Sequence, residues 1–238
     1  MLGCDAVVTG HYARIERNGS QYVLRKALDE SKDQSYVLYT MTQAQLAHTR
    51  FPLGKLRKSD VRRIAQENGF VNADKPDSQD ICFVPDGDYA AAVERICGKT
   101  FAQGDFVTAN GTVVGRHNGI IRYTIGQRKG LGIASSEPYY VCGISPSDNT
   151  VLLGRKEELY RPEADAADFN WISGDVPQAP FNCKVRLRYR QPEQPVTVVP
   201  TGSDTVHFIF GEPQRAVTPG QAAVLYDGDT VLGGGTIL

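Results

Sequence analysis

The stretch "KPDSQDICFVPDGDY", from Lys75 to Tyr89, carries one cysteine, Cys82, flanked by Ile81 and Phe83 after an acidic, proline-broken run and followed by the turn-forming Pro85-Asp86-Gly87. A loop has no packing need for a thiol. A thiolate or persulfide, by contrast, is a soft nucleophile once nearby positive charge or backbone N–H groups hold it ionised, and Lys75 can supply some of that charge. The plain alternative is a small buried hydrophobe, and Cys82 taken alone leaves both open.

Other polar residues could serve chemistry or binding. His11 in "TGHYA" suits a general base or an RNA contact, and equally a hydrogen-bonded structural group at a strand end. Lys32-Asp33-Gln34 suits a binding segment or a plain solvated turn. In "CKVRLRYRQ" the cations Lys184, Arg186, Arg188 and Arg190 alternate, so a strand sets all four on one face and Val185, Leu187 and Tyr189 on the other. Such a row suits a phosphate backbone, or is the solvated face of a half-buried strand. A second basic stretch, "GRHNGIIRYTIGQRKGLG", reads as a hairpin carrying Arg116, Arg122, Arg128 and Lys129 among glycines. Two basic, aromatic-containing segments make nucleic acid a candidate partner. A cysteine hydrolase pairing Cys82 with His11 has no nucleophile elbow or oxyanion motif to support it.

The five cysteines are scattered, with no CxxC spacing and no histidine at ligand spacing, so neither a zinc site nor a disulfide framework is expected. Cys4, Cys97, Cys142 and Cys183 sit in helix or strand patterns and read as inert packing. With 238 residues and a net charge of −1, the chain is not basic overall, and it is long enough for one large domain or two to three small ones. Its apolar runs fall short of the ~20 residues that span a bilayer, and "MLGCDAVVTG" lacks a signal-peptide pattern, so a cytoplasmic protein is expected.

The elements that must position these groups follow from periodicity. "CDAVVTGHYARI" reads as a buried strand entering a loop, where an open α/β sheet places ligands. "ARIERNGSQYVLRKA" reads as a hairpin turning at Asn18-Gly19 in a type I′ turn. Helices are expected in "SYVLYTM", in "TQAQLAHT" behind a Thr42 cap, and in "SDVRRIAQENG", with Ser59 as cap, Val61, Ile64 and Ala65 on one face, and Gly69 as stop. Beyond Gly98, turn dipeptides and alternating strands replace helical patterns. "RPEADAADFN" reads as a linker, and the short strands after it suggest a compact β-barrel of five or six strands. Boundaries at 1–95, 96–160 and 161–238 divide the chain.

"TGHYA", "KDQSYVLY", "KPDSQDICFV", "YTIGQRKGLGI" and "VRLRYRQ", in this order, closely resemble the tRNA-specific 2-thiouridylase family over nearly the whole chain. The resemblance implies an ATP-dependent enzyme, using Mg2+ as well, that activates the C2 carbonyl of the wobble uridine of tRNA and replaces its oxygen with sulfur. It implies that Cys82 carries that sulfur as a persulfide and that Gly10 lines the adenine nucleotide site. It assigns tRNA contacts to His11, Lys32, Asp33, Gln34, Arg188, Tyr189 and Gln221. Tyr189 sits awkwardly there, because strict alternation turns it away from Arg188 unless the strand bends or one contact is made through the backbone. The implied partners are tRNA and a sulfur-donor protein, with no DNA, no membrane and no metal ligands.

The implied fold class is α/β plus β: the C-terminal remnant of a pyrophosphate-loop adenine-nucleotide hydrolase-like α/β domain, a small central β module, and a C-terminal β-barrel that binds tRNA. Family members begin with a strand and an SGGVDS-type loop whose N–H groups hold the ATP phosphates, and they carry a second catalytic cysteine upstream of "TGHYA". Neither is among these residues. The expectation is therefore a fragment that begins inside the catalytic domain, binds no cofactor and is inactive alone. A non-catalytic tRNA-binding module is the alternative.

Overall fold

The computed structural model describes residues 3–71, 73, 84 and 87–238. In chain order the elements are β1 (Val7–Val8), β2 (Ala13–Asn18), β3 (Gln21–Lys26), α1 (Gln43–Ala47), β4 (Thr49–Arg50), α2 (Lys58–Glu67) and α3 (Tyr89–Cys97). There follow β5 (Gly104–Thr108), β6 (Val113–His117), β7 (Tyr140–Ser145), β8 (Thr150–Gly154) and β9 (Tyr160–Trp171). The last are β10 (Phe181–Arg186), β11 (Gln194–Pro200), β12 (Val206–Arg215), β13 (Ala222–Asp227) and β14 (Thr230–Ile237). They form two compact units, one of Met1–Lys75, Pro162–Pro213 and Thr218–Leu238, the other of Pro76–Arg161 and Gln214–Val217.

In the first unit six strands close a barrel in the order β10-β11-β12-β9-β14-β13, with β13 also paired to β10. Inward residues alternate along β12, where Val206, Phe208 and Phe210 are buried and Ile209 is exposed, whereas β13 is covered on both faces and buries Ala223 to Tyr226 in succession. The glycine run of β14 is required by close approach. A Cβ on Gly233 would lie 2.4 Å from the Asn170 carbonyl oxygen, and one on Gly234 would lie 2.7 Å from the Tyr39 ring. The segment read as a linker is in fact most of β9, a 12-residue strand that completes the barrel. Its first half is exposed and charged, which hides its period in the sequence, and only Ala166, Phe169 and Trp171 point inward. Asp168 at φ 51° absorbs the bulge where the register against β14 shifts.

The β2–β3 hairpin extends the barrel sheet through β14, with Thr230 opposite Arg25. Its loop is Gly19-Ser20, one residue beyond the expected dipeptide: Asn18 pairs with Gln21, and only Gly19 (φ 60°) is left-handed, which is the type II′ solution. A single core joins hairpin, helix and barrel, with Ala13, Leu24, Tyr36, Leu46, Ile172, Val224, Tyr226 and Val231 buried together.

Three local expectations change. "SYVLYTM" yields only a 3-10 turn over Ser35–Leu38. The cap of α2 is Arg57 rather than Ser59, with Asp60 accepting from the Arg57 N–H. The "buried" first strand is two exposed residues, Val7 and Val8, paired in parallel with β4. Thr42 does cap α1, in a capping box with Gln45. None of the ten residues of α2 is buried in this chain, although Val61, Ile64 and Ala65 share one face.

The second unit is a four-stranded sheet, β6-β5-β8-β7, over a core of Phe106, Leu131, Val141, Val151 and Leu153. The basic glycine stretch after β6 is not a hairpin. It makes one 3-10 turn over Ile120–Arg122, and no further strand forms until Tyr140. Buried His117 accepts from the Gly119 N–H through Nδ1 and donates from Nε2 to the Asn149 carbonyl, a structural role.

Candidate nucleic-acid interface

The segment between β3 and α1 is built around two aspartates. Asp29 caps the 3-10 turn Glu30–Lys32, accepting from the Ser31 N–H at 3.2 Å and the Ser31 hydroxyl at 2.6 Å, and it also accepts from the Lys58 N–H at 2.9 Å. These bonds, that from Lys58 foremost, hold its carboxyl below the ordinary value. Asp33 ends the same turn and is buried. Its carboxylate accepts from the Ala27 N–H at 3.0 Å, the Ser35 N–H at 3.2 Å and the Ser35 hydroxyl at 2.8 Å.

Asp33 also reaches the barrel. Arg186 donates to it at 3.3 Å and to Glu193 at 2.9 Å, while Lys26 pairs with the same Glu193. The cations Lys26 and Arg186 lie 4.7 and 4.8 Å from the centroid of the buried Tyr226 ring, whose hydroxyl is pushed up above its ordinary value by burial. Two positive and two negative side chains thus neutralise one another around one ring. Arg186 is therefore no member of a phosphate-facing row. β10 stops at this residue, Lys184 is exposed on the strand, and Arg188, Tyr189 and Arg190 belong to a bend and turn beyond it.

That bend settles the awkward position of Tyr189. Its hydroxyl donates to the Asp33 carbonyl at 3.2 Å and its ring meets Tyr36 edge-on at 5.8 Å, while 41% of it stays exposed. Tyr36 in turn donates to the Ala222 carbonyl at 2.8 Å, and burial pushes its hydroxyl up to about 12. Arg188 donates to the Thr218 hydroxyl at 2.8 Å, and Thr218 accepts through its carbonyl from the Gln221 N–H in the turn before β13. On the other side Gln34 exchanges two bonds with Tyr12: the Tyr12 N–H donates to Gln34 Oε1 at 2.9 Å and the Gln34 N–H to the Tyr12 carbonyl at 2.8 Å. His11, next in the chain, bonds Thr9 at 2.9 Å through Nδ1 and meets the Phe51 ring edge-on.

The structure therefore links His11-Tyr12, Lys32-Asp33-Gln34, Arg188-Tyr189 and the Gln221 turn through one chain of contacts, although they lie up to about two hundred positions apart. Gly10 is exposed beside His11, and a Cβ there would meet only Leu53 Cδ1 at 3.7 Å. Cys82 and Lys75 lie outside the described residues. Sequence reasoning missed the Asp33–Arg186–Glu193–Lys26 cluster, since Glu193 in "QPEQP" carries no signal and Arg186 looks like its neighbours. Nor are all the other cysteines packing residues: Cys4 and Cys97 are exposed. Burial pushes the Cys183 thiol up to about 12 and raises that of Cys142, so neither is a thiolate near neutrality.

Comparison with known proteins matches three family models in succession. Residues 1–86 match a tRNA methyl transferase HUP domain, 92–155 a tRNA methyl transferase PRC-barrel domain and 162–237 an aminomethyltransferase beta-barrel domain. The chain is 48% identical to the tRNA-specific 2-thiouridylase MnmA of Clostridioides difficile, over 99% of this chain and 66% of that protein. It is 48% identical to that of Symbiobacterium thermophilum, over 99% and 61%, and 47% identical to that of Nostoc punctiforme, over 99% and 68%. The chain thus spans about two thirds or less of the length of the first two of these relatives.

Proposed function

This chain belongs to the tRNA-specific 2-thiouridylase family, and on that premise we propose that it supplies the tRNA-gripping face and the sulfur-carrying cysteine of an enzyme that thiolates C2 of the wobble uridine. The module descriptions speak of methyl transfer, but identity along 99% of the chain to proteins named as thiouridylases outweighs labels on separate modules. The observation that carries the proposal is the convergence of the Lys32 segment, the Arg188-Tyr189 bend and the Gln221 turn in one unit, with a half-exposed aromatic ring beside cations. Aromatic and cationic groups together suit an RNA loop whose base is drawn out of its stack for chemistry.

Within that face the roles divide. Lys32, Gln34, His11, Arg188, Tyr189 and Gln221 contact tRNA, whereas Asp33, its side chain buried against Arg186 and its carbonyl held by the Tyr189 hydroxyl, shapes the segment. Cys82 bears the persulfide, whose outer sulfur bonds to C2 of the adenylated uridine as AMP leaves. The S–S bond to Cys82 then breaks by attack of the second cysteine thiolate that the family resemblance implies, leaving the sulfur on the uridine and a disulfide between the two cysteines. ATP, with Mg2+, supplies that activation when bound. Gly10 fits the nucleotide: this chain's own packing leaves its α-carbon open, so a bare backbone there permits close approach of a ligand. The sequence contains no SGGVDS-type loop for the phosphates. The 238-residue chain is accordingly inactive alone, and sulfur delivery requires a donor protein. No helix among the described residues is long and apolar enough to cross a membrane.

Fluorescence anisotropy with labelled tRNA over a salt series tests the proposal. Binding should weaken steeply with salt and lose affinity in Arg188→Ala and Tyr189→Ala. Salt-insensitive binding, or none, would sink it. If the full-length parent binds tRNA yet forms no 2-thiouridine, the non-catalytic module is the right description.

A further inference from the structure

Away from that face, the first unit contains a cavity of about 480 Å³ between the β2–β3 hairpin and one end of the barrel. Volumes of this size hold drug-sized ligands. Its apolar wall includes the rings of Tyr22, Trp171 and Phe181, with the last two 6.2 Å apart. Trp171 is 7% exposed, so the cavity meets the edge of a ring that is otherwise packed in the barrel.

Hydrogen bonds tie the hairpin to the barrel beside the cavity. The Gln43 amide donates to the Tyr22 and Ile172 carbonyls, both at 2.7 Å, and the Gln21 amide donates to the Ser173 carbonyl at 3.2 Å and Asp175 at 3.4 Å. These bonds fix the spacing of hairpin and barrel, and Pro177 and Pro180 stiffen the loop that forms one lip.

Charge selects the occupant. Asp175 and Asp227 line the cavity, and no Lys, Arg or His does. No ion pair or hydrogen bond to the Asp227 carboxylate is made among the described residues. An anion, and a phosphate above all, is repelled here, which separates this cavity from any RNA path. The geometry points to a second ligand site, which takes a small organic cation whose ring-sized apolar body lies against Tyr22, Trp171 and Phe181 while its ammonium meets Asp175 and Asp227.

Trp171 is the only tryptophan of the chain, so its fluorescence reports on this wall directly. The intact chain is titrated with phenethylamine, with neutral 2-phenylethanol and with anionic 3-phenylpropanoate. The amine should give a saturable change and bind about tenfold tighter than the alcohol, with the acid weakest. Asp175→Asn/Asp227→Asn should cancel the amine's advantage and leave the alcohol unchanged, and Ala179→Phe should abolish binding of both. The two single Asn variants, each checked by thermal melting, should show intermediate loss. Equal binding of all three probes, no saturable change up to roughly 10 mM, or an undiminished advantage in the double variant would overturn the assignment. So would a Trp171 response to lysine-bearing peptides without one to the amine, which would make the cavity a protein-docking groove.

Discussion

Replacing Asp33 with alanine should destabilise the first unit by about 3–4 kcal/mol. The side chain is 3% exposed and accepts four bonds, from Ala27, Ser35 twice and Arg186, so its removal orphans two buried backbone donors, a hydroxyl and part of a guanidinium. Breaking a buried ion pair costs about 3–5 kcal/mol, and orphaned buried donors about 1–3 kcal/mol each. These costs do not add in full, because Arg186 keeps Glu193 at 2.9 Å and water can reach a vacated site. Asp33→Asn retains the shape and one acceptor oxygen and should cost about 1–2 kcal/mol. Urea unfolding followed through Trp171 reads this unit, since that residue lies within it. The sharper test is the cycle with Arg186→Ala, where the pair should couple by about 1–2 kcal/mol. Additive single effects, with coupling below about 0.5 kcal/mol, would refute the claim that the Asp33–Arg186 pair ties this segment to the barrel.

For RNA, Arg188→Ala should lower the slope of log affinity against log salt by about one, whereas Arg186→Ala should leave the slope unchanged in the folded protein; tRNA anisotropy over a salt series decides between them. In a full-length parent, Cys82→Ser should abolish 2-thiouridine formation while tRNA binding stays nearly intact, because oxygen cannot carry a persulfide; nucleoside analysis of the tRNA checks it, and sulfur-containing product from the variant refutes the role. Burial raises the Cys183 thiol from 9.0 and the Tyr36 hydroxyl from 10.0, each to about 12, so above about pH 9 the unfolded chain releases protons that the native one retains. Their contribution to stability is complete below that pH and is lost as pH rises towards 12. The urea midpoint should therefore fall between about pH 9 and 11, and Cys183→Ala should flatten its early part.

Much of the architecture was legible in local pattern. Strands β6, β7 and β10 to β14 could be read because each is a short apolar or alternating run bounded by Gly, Pro or Asn, and α1 because Thr42 and Gln45 satisfy each other's backbone donors. β9 escaped for a local reason with a distant cause. Its charged first half is exposed, and what makes it a strand is pairing with β12 and β14, tens of residues downstream. The hairpin was legible too, but its attachment to β14 was not, because the two meet at Thr230 and Arg25 across some two hundred positions.

The candidate face divides in the same way. Its residues come from the family resemblance, and the cations and aromatics of two distant segments make nucleic acid a candidate partner. What each side chain does could not be read from either. Arg186 and Arg188 are the same residue type, two positions apart, yet one is consumed by Asp33 and Glu193 and the other bonds Thr218 beside the Gln221 turn. Residue type is a local property, so the sequence alone determined which chemistry was available. Burial and the partner that neutralises a charge come from segments far away in the chain, so only the tertiary structure decided which of these cations face solvent and which hold the fold together.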